Sequence, residues 1–424
     1  MRNVATVATG TAVAQAMLMA FTPIITRLYG PEAYGLQGIF LSVVSLLTTA
    51  AALGYPTAIV LPRSDVDALG LVRLSIYTGL GLALLTTIVL LFWSREILGL
   101  LNAEAISTFV LLIPVAMFVS VLSGVLGQWL IRNKAYSLTA KYSVFTNFLL
   151  GLIKSGLGFL SPTAMALIVS NTAGGLFGTV LTYYGWRKSV AMQLPSSSGC
   201  GNQKRVLLIE LASQYRDFPL LRTPQNLINA FSQSLPVLLL ASYFGASAAG
   251  QYSIAIAVLG MPASLVGGSV MSVFYPRINE AILNKEDARG LIVKATTGMA
   301  LTGALPFLAV IVAGPFLFEN VFGGKWHTAG VYAQWLSLWI FLQYVNKPAV
   351  SAIPALRLQG GLLVYELFST GSKILALWIG FAIFDNDVMA IAMFSIFGVA
   401  AYLWLIIWVV RCSGKLGPEC VPSV

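Results

Sequence analysis

Four charged side chains fall inside long apolar runs of this chain: Lys154, Lys347, Glu366 and Lys373. A charge near the middle of a membrane-spanning helix costs about 2.5–3.5 kcal/mol on insertion scales, so such a residue is by default tied to a function or a partner. The lysines suit an anionic ligand. Lys154 and Lys373 are the candidates to face one, while Lys347 lies near the end of its run, where a long aliphatic stem can carry the ammonium to the interface. Glu366 is the intramembrane carboxylate and the candidate for ion coupling. It lies seven residues before Lys373, hence on the same helix face, and a structural ion pair is the favoured reading of the two. Among uncharged groups, Asn147, Asn229 and Gln343 are candidates to hydrogen-bond ligand hydroxyls, with Gln15, Asn171, Asn226, Gln233 and Asn346 behind them. Amides in membranes also bond across helices, and the two readings stand level.

Other chemistry is excluded by residue type. His327 is the single histidine, which removes a histidine-based triad and a multi-histidine metal site. Cys200, Cys412 and Cys420 lack metal-ligand spacing, and no phosphate-cradling GxxxxGK loop occurs. No catalytic residue, metal or cofactor is therefore expected, and the chain does not read as an enzyme.

The elements that carry these residues are membrane helices. With 58% hydrophobic and 9% charged residues over 424 positions, a soluble domain could not cover its surface with polar groups. Twelve apolar spans are predicted near residues 4–26, 34–60, 74–93, 107–130, 142–159 and 164–185, then 223–243, 250–275, 295–317, 331–353, 362–384 and 388–410. The first is expected to be retained as a helix, since no small-residue cleavage site follows it.

The chain also repeats itself. Tyr29-Gly30-Pro31-Glu32-Ala33-Tyr34-Gly35 is answered by Phe244-Gly245-Ala246-Ser247-Ala248-Ala249-Gly250, Pro62-Arg63 by Pro276-Arg277, and the run from Asp67 to Val72 by the run from Asp287 to Ile292. Three matches in order imply two homologous halves: residues 1–190 and 223–411, each a six-helix bundle. Residues 191–222 join them as a linker, flexible at Pro195–Asn202 by composition, with a short amphipathic stretch at Lys204–Asp217 that fits either a surface helix or a lead-in to the seventh span. A tail follows at 412–424. Pro23 and Pro236 are predicted to break or bend the first and seventh spans, making them gating candidates.

Basic residues collect in alternate loops, leaving Arg27, Arg95 and Lys325 on the other side. That bias places both termini in the cytoplasm. The net charge of +10 then faces anionic lipid and needs no nucleic acid.

Tyr215-Arg216-Asp217-Phe218-Pro219, Asn229, Leu235-Pro236, Phe244-Gly245, Ala249-Gly250-Gln251-Tyr252 and Pro262 together resemble the centre of the polysaccharide-transport (Wzx-type) flippases of the multidrug/oligosaccharidyl-lipid/polysaccharide superfamily. The opening Gly10–Gln15 with Pro23, Thr26–Tyr29 and Tyr34-Gly35 is similar to that family too, as is Phe322–Gly330. One departure is Gly324-Lys325, where the family usually has an acidic residue after Phe-Gly. The resemblance implies an all-α, MATE-like fold of two six-helix bundles in a V around a central cavity. It further implies a bacterial inner-membrane protein that moves undecaprenyl-pyrophosphate-linked oligosaccharide between leaflets, with membrane lipids and polysaccharide polymerase machinery as partners, and with proton or sodium coupling as one way to drive it. A drug/cation antiporter would share the fold but carry acidic cavity residues. A lipid-II flippase would carry several arginines in its first helices, where Arg27 stands alone. A polymerase or ligase would need a large outer loop, and every predicted outer loop is short.

Overall fold

The computed structural model describes residues 2–100, 104–193, 208–284, 286–356 and 358–415, and the described residues contain no strand. The predicted spans appear as long helices because each carries enough apolar length for lipid, where a backbone must satisfy its own polar groups. The first six are covered by α1 (Arg2–Leu28), α2 (Pro31–Ala52) with the short α3 (Tyr55–Ala58), α4 (Asp65–Leu100), α5 (Leu112–Arg132), α6 (Tyr136–Leu160) and α7 (Ala164–Gln193). After α8 (Leu208–Gln214), the second set comprises α9 (Thr223–Leu283), α10 (Ala288–Phe322), α11 (His327–Val345) with α12 (Lys347–Ala355), α13 (Gln359–Phe384) and α14 (Asp387–Lys415). Nine described helices are long and apolar enough to cross a membrane. One of these, α9, holds two such lengths, divided at Gly245 (φ 86°, ψ 171°).

The chain falls into two compact units, Met1–Gly250 and Gln251–Val424. The seventh span thus groups with the first unit, held in part by Ser234 Oγ, which donates to the Ser42 carbonyl at 3.4 Å.

Within the first unit the two repeated glycine motifs touch. A Cβ on Gly35 would lie 1.7 Å from the Ala246 carbonyl oxygen, and one on Gly250 would lie 1.8 Å from that of Pro31. Each glycine is required because backbone approaches backbone there. Farther along, α4 breaks at Trp93 and α10 at Ala313, positions offset in the chain just as Asp67 is from Asp287. Val72 and its counterpart Ile292 are both buried, each in the core of its own unit. The repeat read from sequence is therefore also a repeat of break points and core positions.

Pro23 and Pro236 sit within α1 and α9, and the non-helical residue in α9 is Gly245, at positive φ. The amphipathic stretch is helical at α8, where Leu211 is 1% exposed in the core beside Leu71 and Val72, so a buried anchor docks it onto α4. Residues 194–207, which hold the expected linker and the Lys204-Arg205 pair, lie outside the described residues, as do Cys200 and Cys420.

Candidate functional site

Lys154 lies in the last two turns of α6, an apolar helix that packs along α1. Phe21 fills the notch at Gly151, and the Tyr29 hydroxyl donates to the Lys154 carbonyl at 3.0 Å, so the helix backbone is fixed at this point. The side chain is half-buried and forms no ion pair with any described residue. Asn147 lies two turns earlier on the same face. The pair gives α6 a cation and an amide on one stripe of an otherwise apolar helix.

In the second unit Lys373 of α13 has a different setting. Its ammonium lies 4.9 Å from the ring centre of Trp339, 5.4 Å from Tyr402 and 5.9 Å from Phe394. The three rings come from α11 and α14, and Trp339 and Phe394 meet edge to face at 5.0 Å. Aromatic faces are negative, and a desolvated cation over them gains about 2 kcal/mol. Gln343 adds a hydrogen bond to the Tyr402 hydroxyl at 3.2 Å. The ion pair expected between Glu366 and Lys373 is absent from the described ion pairs. Helix neighbours are three or four residues apart; seven residues put about 10 Å of rise between the two side chains, and the rings of neighbouring helices are nearer. Glu366 remains half-buried.

Lys347 begins α12 after the interruption at Asn346, and its methylenes run past Gly267, where an added Cβ would lie 3.1 Å from Cε. Asn346 is 1% exposed with neither side-chain atom hydrogen-bonded.

A third group assembles in the first unit. A cavity of about 370 Å³ is lined by Ser45, Thr48, Thr49 and Ala52 of α2, by Gly54, Pro56 and Thr57 around α3, and by Asn226, Asn229, Ala230 and Gln233 of α9. Asn229 was expected to meet ligand; the hydroxyls of α2 and α3 were not. The signal for them was present in the sequence: Ser45, Thr48 and Thr49 stand at helical spacing, as do Asn226, Asn229 and Gln233. Nothing in either stretch alone says that the two stripes meet.

The motif at Phe322–Gly330 also acquires a physical reason. Gln251, 6% exposed, donates from Nε2 to the Lys325 carbonyl at 2.9 Å and accepts at Oε1 from the Ala329 amide at 2.9 Å. The loop between α10 and α11 is thus held by its backbone, with Trp326 fully buried beneath it. The side chain at 325 is not what Gln251 grips.

Residues 24–330 match the family model described as "Polysaccharide biosynthesis protein". The chain belongs to this family. The succinoglycan biosynthesis transport protein ExoT of Rhizobium meliloti (strain 1021) is 21% identical over 309 residues, 72% of this chain and 58% of that relative. This chain therefore spans a little over half the length of the curated relative it matches. Among solved structures, an inward-facing multidrug resistance MATE family transporter of the MOP superfamily aligns with a TM-score of 0.72 at 13% identity, over 95% of this chain and 96% of that one. The lipid II flippase MurJ, in an inward closed conformation, aligns with a TM-score of 0.74 at 12% identity, over 96% and 89%. At such identities the likeness shows the fold. The family resemblance read in the sequence is borne out by the family match, and the protein is a multi-pass membrane protein of MATE-like fold.

Proposed function

We propose that this protein moves an undecaprenyl-pyrophosphate-linked oligosaccharide from the inner to the outer leaflet of the bacterial cytoplasmic membrane by alternating access, with both termini in the cytoplasm and no catalytic step. The observation that carries the reading is the pair of lysines, Lys154 and Lys373, seated in apolar helices with no carboxylate partner among the described residues. Such a charge is expensive to keep and is by default tied to function; the rings around Lys373 hold it as a cation, and Lys154 has no described counter-charge. The sugar and the pyrophosphate must cross hydrocarbon while the isoprenoid tail stays in lipid, so the protein replaces the water those groups lose. Each unit supplies its own cation for the anionic group, Lys154 in the first and Lys373 in the second, with Asn147 and Asn229 and, in the second unit, Gln343 as partners for hydroxyls.

The membrane potential supplies a drive without ATP. At about 2.3 kcal/mol per charge per 100 mV, export of roughly two negative charges is favoured by about 4–5 kcal/mol with the inside negative. Glu366 gives a second route, exchange for a proton or a sodium ion. The MurJ likeness keeps lipid II as an alternative cargo. The two lysines count against a cation antiporter, which would carry acidic cavity residues.

The test is complementation of a flippase-null strain, scored by surface polysaccharide and by accumulated lipid-linked intermediate. Wild type should restore export, and Lys154→Ala and Lys373→Ala, expressed equally in the membrane, should not. Failure of wild type across several polysaccharide backgrounds, together with efflux of cationic drugs, would replace this reading with the antiporter.

A further inference from the structure

The cavity between α2, α3 and the start of α9 has a chemistry unlike that around the lysines. None of the residues lining it is titratable. Its walls are two polar stripes at helical spacing, Ser45, Thr48 and Thr49 on one helix and Asn226, Asn229 and Gln233 on the other. Polar groups at such spacing within membrane helices are costly toward lipid and imply a common polar object between them.

Hydrogen-bonding capacity is left over at each wall. The Thr49 hydroxyl donates to the Ser45 carbonyl at 2.9 Å and Thr57 to the Gly54 carbonyl at 2.7 Å, so each donor is spent while the oxygen lone pairs remain open. Across the cavity Gln233 Nε2 donates to Asn229 Oδ1, which leaves the Asn229 amide hydrogens and the Gln233 carbonyl oxygen. Amides and hydroxyls that offer donors and acceptors side by side match vicinal sugar hydroxyls, each itself a donor and an acceptor. A pyrophosphate would instead require cations or convergent charge-assisted donors, and the lining has no cation. The volume, about 370 Å³, lies at the small end of the range of roughly 300–1,000 Å³ typical of small-molecule sites.

We infer that this cavity is a subsite for an uncharged sugar ring, distinct from the lysines that meet the anionic group. The inference rests on the flippase reading and deepens it: specificity for the glycan is read by neutral hydrogen bonds here. On the proposed orientation α2 ends and α9 begins on the cytoplasmic side, so the sugar is met where a lipid-linked glycan made in the cytoplasm would enter.

The test uses the purified full-length chain in nanodiscs and two kinds of probe, a panel of neutral methyl glycosides and inorganic pyrophosphate, with binding followed by saturation-transfer NMR. At least one glycoside should bind wild type. Asn229→Ala and the near-isosteric Thr49→Val should each weaken it roughly tenfold, the loss that about 1.4 kcal/mol produces. Pyrophosphate binding should be unaffected by these variants and reduced by Lys154→Ala. Absence of binding by every neutral glycoside, or binding indifferent to both cavity variants, overturns the subsite. So does a loss of pyrophosphate rather than glycoside in Asn229→Ala. Export by the complementation assay separates the two readings: wild type that exports while its cavity variants bind and export normally refutes the subsite alone. Wild type that binds glycosides in this cavity but restores no export upholds the sugar site and removes the flippase reading.

Discussion

Alanine at Gly35 or Gly250 tests the backbone contact between the two repeated motifs, and the sign of the effect is what decides. Both glycines lie in helices, α2 and α9. In a helix free of neighbours, Gly→Ala stabilises by roughly 0.5–1 kcal/mol, because glycine loses more backbone freedom on folding. Here the new Cβ would arrive 1.7 Å from the Ala246 carbonyl oxygen or 1.8 Å from that of Pro31, against the 3.0 Å below which real Cβ atoms are essentially never found. The obstacles are backbone atoms, so no side-chain rotation relieves them and the helices must separate by more than an ångström. Overpacking of a tight contact costs about 1–3 kcal/mol, and this case belongs at or above the top of that range. Thermal unfolding of detergent-solubilised protein should therefore drop by roughly 2–4 °C per kcal/mol in each single variant. The double variant should lose less than the sum, since one separation accommodates both methyl groups. Gly30→Ala in the same turn is the control: a Cβ there has nothing within 4 Å, and only the weak loss of a helix N-cap glycine is expected. Gly35→Ala or Gly250→Ala with unchanged or raised stability would refute the contact, because propensity alone predicts that result.

Three further outcomes follow from the same geometry. Lys373→Arg keeps a cation over Trp339, Phe394 and Tyr402, whereas Lys373→Met keeps only the bulk, so export in the complementation assay should survive the first far better than the second, with similar membrane expression. Gly245→Ala should cost about 1–3 kcal/mol in thermal or denaturant unfolding through strain alone, because φ 86° with ψ 171° is a region open essentially to glycine, and nothing lies within 4 Å of its added Cβ. The Glu286 carboxyl, outside the spans, is held below its usual range first by a hydrogen bond from Arg277 and then by that residue's charge. A depressed folded-state pKa gives stability that is present above the ordinary glutamate range and lost as pH falls through the lowered value; Glu286→Gln should flatten that acid limb of the stability profile, an effect reduced by salt.

The long helices of this protein were readable because lipid imposes local rules: apolar length, and a backbone satisfied within its own segment. Boundaries shifted mainly where an interruption has a tertiary cause. Residues 34–60 read as one span, yet α2 ends at Ala52 with Leu53 at φ 45° and Gly54 at φ 69° before α3 begins. A Cβ on Gly54 would lie 3.2 Å from the Phe218 carbonyl oxygen, so a segment far along the chain crowds that turn. Residues 331–353 likewise divide at Asn346 into α11 and α12. The first break borders the polar cavity and the second borders Lys347, and a proline follows each, Pro56 and Pro348.

Composition and order along the chain by themselves determined the class, the repeat, and which charges lie within apolar runs, because each is a property of one segment and its period. They also identified the family, through short motifs whose sequence order carries the match. Tertiary structure alone decided what each of those residues touches. Lys373 and Glu366 share a helix, but the ammonium goes to rings on α11 and α14. Asn229 reads as one of a stripe of amides until α9 lies beside the hydroxyls of α2, and Gly35 reads as part of a repeated motif until Ala246 approaches it. Helical period tells which face a side chain occupies; the neighbour opposite that face comes from a segment distant in the chain, and only packing supplies it.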